Sequence, residues 1–174
     1  MSPFEVVAIL MAGWGSNNKY ALLGAIRAAS QMVSYELAMG LSIVALVMMT
    51  GTLSMGGIVD YQIEHGWNVI YQPLGFIIFL VCAFAETNRA PFDMPECETE
   101  LVGGYHTEFS SMKLGFFLFA EYTNMFISSA VIATLYFGGY HVPGLDRLGL
   151  DPNLATLIGA AAMFAKTFFF IFFF

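Results

Sequence analysis

From Leu37 to Val59 the chain carries no charged side chain, and that run alone limits the solvent in which the protein can fold. At about 1.5 Å of rise per residue, a helix of this length reaches the roughly 30 Å of a bilayer's hydrocarbon core. Other apolar runs follow it. With 58% hydrophobic and 11% charged residues over 174 positions, and a mean hydropathy of +0.71, the chain has more apolar surface than a soluble domain of its size covers. The runs are continuously apolar and do not alternate every second residue, so they read as helices and not as barrel strands. The sequence predicts an all-α, polytopic transmembrane helix bundle, one transmembrane domain over residues 1–174 that is part of a larger subunit.

Along the chain, Phe4–Trp14 is too short to cross a membrane and reads as the tail of a helix whose beginning is absent. Tyr20–Val59 carries Arg27 and Glu36 before its uncharged stretch, which predicts a segment at the aqueous edge leading into a span that Gly56-Gly57 and Asp60 end. Trp67 and Tyr71 stand where interfacial aromatics anchor the next apolar run, Pro73–Ala85. Another run extends from Lys113 to Phe137, interrupted by Glu121 and closed by Gly138-Gly139. After the turn signals Pro143-Gly144 and Asp151-Pro152, a last run starts at Asn153 and contains Lys166. Spanning helices are therefore expected near residues 35–58, 73–86, 114–137 and 153–174.

Between the spans, residues 86–112 form a long polar, acidic connection. The edge and loop on one side hold Lys19, Arg27, Arg89 and Lys113, whereas the opposite connections hold only Arg147. The excess of positive charge places the acidic loop on the cytoplasmic or matrix side. That loop gathers Glu86, Asp93, Glu96, Glu98 and Glu100 around Arg89. The plainest account is a solvated charge run, with Glu96 and Glu100 sharing one face of a short helix after Pro95. Carboxylates crowded against apolar spans, however, repel one another and lose solvation, which is the chemistry of groups that exchange protons. Arg89 would hold some of them ionised or bond a polar ligand head group.

Two further acids lie within apolar runs, where a lone carboxylate is costly and normally faces a polar cavity or a partner. Glu36 is close enough to an interface to snorkel. Glu121 lies roughly 12 Å inside its run, where snorkelling is less able to help. Arg27 and Glu36 are nine positions apart, two and a half helical turns, and so point to opposite faces. His65, His106 and His141 are isolated; His106, in the loop, reads as a structural hydrogen-bonding residue. Cys82 and Cys97 have no cluster-ligand spacing, and the acids lack the calcium-loop pattern, so no metal site is assigned.

Several of these segments together resemble a known family. Glu86-Thr87-Asn88-Arg89-Ala90-Pro91-Phe92-Asp93, then Pro95-Glu96, Glu98, Glu100-Leu101, Gly104-Tyr105-His106 and Glu108-Phe109-Ser110, is similar to the signature loop of the quinone-site membrane subunit of respiratory complex I. This is the H subunit of bacterial NADH:quinone oxidoreductase and subunit 1 of the mitochondrial enzyme. Gly24-Ala25-Ile26-Arg27-Ala28, Ser34-Tyr35-Glu36 and Ala120-Glu121-Tyr122-Thr123-Asn124 resemble the same family, in the same order. The resemblance covers essentially the whole chain, while the family's subunit is considerably longer.

The resemblance implies a subunit that forms the membrane side of a ubiquinone or menaquinone chamber, in a bacterial plasma membrane or mitochondrial inner membrane. Its partners would be the other membrane-arm subunits and the quinone-site subunits of the peripheral arm, which hold the flavin and iron–sulfur clusters. Arg27, Arg89, Asp93, Glu96, Glu98 and Glu100 would belong to the quinone site and its loop, and Glu36, Glu86 and Glu121 to the proton-coupling path. No complete catalytic centre is expected in this chain alone, and no nucleic-acid partner. A homologous membrane subunit of an energy-converting hydrogenase is the main alternative. A secondary transporter would show inverted repeats, which are not evident, and a purely structural anchor leaves Glu121 without a reason.

Overall fold

The computed structural model describes residues 3–87, 92, 112–143 and 151–174. These residues form α1 (Pro3–Gly15), α2 (Lys19–Thr50), α3 (Met55–His65), α4 (Asn68–Tyr71), α5 (Pro73–Glu86), α6 (Met112–Phe137) and α7 (Pro152–Phe173), with no strand among them. Three helices are long and apolar enough to cross a membrane, within α2, α6 and α7. Large apolar side chains stay exposed along them, among them Leu37, Leu41 and Met48 on α2 and Phe168, Phe169 and Phe172 on α7. In water such faces would drive aggregation; against lipid tails they are at home.

The expected spans hold for α6 and α7, and α5 has the anticipated bounds. At 14 residues, about 21 Å, α5 is shorter than the hydrocarbon core. It is extended at its N-terminal end by α4. The break between them falls at Gln72 (φ −129°, ψ 63°), because the ring of Pro73 disfavours helical geometry in the residue before it.

The one displaced boundary is that of the first span. Residues 19–50 form one 32-residue helix with Arg27 and Glu36 inside it, and Gly56, Gly57 and Asp60 lie within α3 instead of ending α2. The stop is Gly51, at φ +70°, whose N–H bonds the Val47 carbonyl at 2.8 Å. Only the glycine that enters the left-handed region ends the helix.

The described residues fall into two compact units, residues 1–40 with 81–123 and residues 41–80 with 124–174. In the first, Ile9 of α1 packs with Ala25, Ala28 and Met32 of α2, flanked by Val6 and Phe117. A side chain at Gly13 would collide with Ala25, so the close approach of α1 to α2 requires glycine there. Asn18 opens α2 by accepting the Tyr20 N–H at 3.1 Å.

The second unit is organised around the C-terminal end of α6. Gly138 and Gly139, both at positive φ, end that helix as its sequence suggests. A helix leaves its last four carbonyls without intrahelical donors, and three of these four meet side chains. Gln62 donates to Thr134 O at 3.0 Å, Asn68 to Leu135 O at 2.9 Å and Lys166 to Phe137 O at 2.8 Å. The same ammonium donates to Gly139 O at 2.9 Å and His141 O at 2.8 Å, which uses all three of its protons. It also lies 5.7 Å from the centre of the Trp67 ring. Phe76, Tyr136, Phe137 and Phe170 stack edge-on or tilted beneath this cap, with centroids 5.3 to 6.5 Å apart.

Lys166→Met keeps the length of the side chain and removes all three donated bonds. It should lower stability by about 2 kcal/mol, read as a fall in the thermal midpoint of the detergent-solubilised protein. An unchanged midpoint would show that the carbonyls find other donors.

Candidate functional site

Arg27, Glu36, Glu86 and Glu121 all lie in the first unit. Arg27 is exposed and Glu36 half-buried on α2, Glu121 is half-buried on α6, and Glu86 is the buried last residue of α5. Glu121 sits nine residues past the first residue of its helix, about 14 Å along the axis, slightly deeper than the sequence suggested. Arg89, Asp93, Glu96, Glu98 and Glu100 lie outside the described residues, as does His106.

Where the acidic connection leaves α5, two side chains of α2 hold it. The buried amide of Gln31 donates to Ala85 O at 2.9 Å and to Phe92 O at 3.0 Å. The first bond supplies a donor to one of the unpaired carbonyls at the end of α5, and the second grips the residue that precedes Asp93 in the chain. One turn along the same face of α2, Tyr35 meets the Phe92 ring edge-on, with centroids 5.4 Å apart and planes at 70°. Thr87 is 1% exposed and folds its hydroxyl back onto Ala83 O at 3.1 Å and Phe84 O at 3.2 Å, closing the last turn.

Gln31 and Tyr35 do not stand out in the sequence as site residues. Their signal is present but weak: an amide in an apolar stretch needs a partner, and the sequence does not say that the partner is 54 to 61 residues away. A cleft of about 290 Å³ in the same unit is lined by Gly13, Trp14, Asn17, Asn18, Lys19 and Leu22, and among the described residues none of the candidate acids lines it. Among the described residues, no group of three His, Cys, Asp or Glu side chains is placed to hold a metal ion.

These features define a multi-pass membrane protein whose ionisable side chains sit in and at the ends of its helices, beside a connection pinned to one of them. The chain belongs to the NADH dehydrogenase family, whose model matches residues 1–174. It is 64% identical over 169 residues to an H subunit of the NADH-quinone oxidoreductase of Cytophaga hutchinsonii, covering 97% of this chain and 49% of that protein. It is 61% identical over 173 residues to the H subunit of the same enzyme in Flavobacterium johnsoniae, covering 97% of this chain and 49% of that one. To NADH-quinone oxidoreductase subunit 8 of Rhodothermus marinus it is 49% identical over 182 residues, 99% of this chain and 53% of the other. The chain thus covers about half the length of the curated relatives it matches.

If the Gln31 amide holds the start of the acidic connection, Gln31→Leu should raise amide hydrogen exchange several-fold in the peptide containing Phe92. Exchange elsewhere in α2 should be little changed. Equal protection of that peptide in both proteins would show that the two hydrogen bonds do not restrain it.

Proposed function

We propose that this chain is part of the membrane subunit of a proton-translocating NADH:quinone oxidoreductase, where it forms one side of the quinone chamber and helps couple quinone reduction to proton movement. The observation that carries the reading is the near-complete match of this chain to proteins named as H subunits of NADH-quinone oxidoreductase. Ionisable side chains placed along membrane helices support it, since such residues are costly unless they serve an ion or proton path. None of these relatives bears a hydrogenase name, so the hydrogenase alternative has no specific support. The enzyme as a whole would be a translocase, with quinone as the substrate at this subunit and with flavin and iron–sulfur clusters in partner subunits. These relatives are bacterial, which favours the plasma membrane as the location and the cytoplasmic side for the acidic connection.

Reducing a quinone to a quinol takes two electrons and two protons. Each electron that arrives before its proton leaves negative charge at the head group, and nearby carboxylates respond by shifting their own proton affinity. In this reading Arg27 and Arg89 stabilise that charge, while Asp93, Glu96, Glu98 and Glu100 with Glu36, Glu86 and Glu121 form the path by which the change reaches the membrane interior. The two α2 side chains that hold Phe92 give the path a fixed starting point beside Glu36, which follows Tyr35 directly in the chain.

The test uses the assembled enzyme in vesicles. Replacing Arg89 or Asp93 by alanine should lower NADH:quinone turnover by at least about tenfold, roughly the loss of one charge-assisted hydrogen bond, while NADH oxidation by an artificial acceptor persists. Equal loss of both activities in a correctly assembled variant would remove the quinone-side role. Glu121→Gln keeps shape and hydrogen bonding but removes the titratable charge, and should lower the proton-to-electron ratio or the turnover. An unchanged ratio at an unchanged rate would demote Glu121 to structural support.

A further inference from the structure

The second unit contains two buried polar atoms that the proposed quinone and proton-path residues do not use. Tyr136 is fully buried in α6, and its hydroxyl has no hydrogen-bond partner among the described residues beyond the Ser42 side chain beside it. Gln72, at the break before α5, has its amide orientation set by donation from Nε2 to Ala45 O at 3.1 Å. Its Oε1 is thereby turned inward, where it is buried without a partner among the described residues.

These two atoms face the same place. A side chain begun at Gly75 would put its first carbon 3.4 Å from Gln72 Oε1 and 3.6 Å from the Tyr136 hydroxyl. Glycine leaves that position open. Gly75 also belongs to the first turn of α5, where Phe76 N–H bonds back to Gln72 O at 3.1 Å. The N–H groups of Leu74 and Gly75 precede the first donor that the helix's own ladder can use.

We propose that an internal water molecule sits over Gly75 and bridges Gln72 Oε1 to the Tyr136 hydroxyl. Water is the ligand that fits this chemistry. Gln72 Oε1 can only accept and the tyrosine hydroxyl can donate or accept, so a molecule with both donors and acceptors can bridge them. Without it Gln72 Oε1 would stay buried and unsatisfied, at about 1–3 kcal/mol, and the tyrosine hydroxyl would have Ser42 alone. A gap lined by such atoms takes up water, whereas an apolar gap stays empty. The site lies in a different unit from Glu36, Glu86 and Glu121, so it stands independently of the roles proposed for those acids.

Radiolytic footprinting of the purified, assembled enzyme in oxygen-18 water tests this directly, because a side chain touching a bound water is oxidised even when bulk solvent cannot reach it. In the wild type, Tyr136 should be labelled several-fold faster than its buried neighbours Phe79 and Ile132, which have no polar atom to hold water. Gly75→Ala places a methyl group in ordinary contact with both polar atoms, without a clash, and should bring Tyr136 down to the level of those neighbours. Labelling of wild-type Tyr136 no faster than Phe79 would mean that the gap is dry and would overturn the proposal. Fast labelling that persists in Gly75→Ala would place the water elsewhere and overturn it equally. Where the variant fails to assemble, the wild-type comparison still decides.

Discussion

A backbone carbonyl that cannot reach water must find a donor inside the protein, and much of this structure is arranged around that requirement. Lipid offers no hydrogen bonds, so the ends of membrane helices are the costly points. At the end of α6 the donors come from three other elements: Gln62 on α3, Asn68 on α4 and Lys166 on α7. The glycine turn at positions 138 and 139 exposes further carbonyls, and Lys166 takes up that of Gly139 as well. A charge that would be prohibitive on an isolated helix becomes tolerable because three carbonyl dipoles and an aromatic face surround it. Lys166 is thus tied to the fold.

The first unit solves the same problem with fewer groups. Gln31 supplies a donor at the end of α5, and because an amide nitrogen has two protons it holds Phe92 at the same time. One side chain therefore both completes a helix and fixes the departure of the acidic connection. The aromatic contact from Tyr35 adds orientation to that hold, since an edge-on pair prefers one mutual geometry.

The helices were largely legible because hydrophobic runs, glycines at positive φ and prolines leave local marks. Pro152 after Asp151 marks the start of α7, and Gly138-Gly139 marks the end of α6. The end of α2 was misplaced because three glycines lie within seven positions, and only backbone conformation distinguishes Gly51 from Gly56 and Gly57. Arg27 and Glu36 suggested an edge segment ahead of the span, but helical geometry tolerates both when one is exposed and the other half-buried. The hydrogen-bonding side chains were the illegible part. Gln31, Gln62 and Asn68 bond carbonyls 54 to 72 residues away, and nothing local distinguishes them from ordinary polar residues. Of the candidate site, Glu36 and Glu121 were visible in the sequence as carboxylates inside apolar runs and Glu86 as the first acid of the loop, and all three belong to the first unit.

The two units therefore differ in what their polar groups are arranged to do. In the second, amides, a hydroxyl and one lysine are used mostly against backbone carbonyls, and among the described residues the amide and hydroxyl oxygens of Asn68, Gln72 and Ser128 are left over, all on neutral side chains. Neutral groups hold a helix end, or a water, without responding to an arriving charge. In the first, the last residue of α5 is Glu86, a carboxylic acid, the kind of group whose ionisation can follow a charge change nearby. Gln31 and Tyr35 hold Phe92 through an amide and a ring edge, contacts that need no charged group. The proton path proposed for this chain would need both kinds of residue: groups whose charge changes, and fixed groups that keep the changing ones in place.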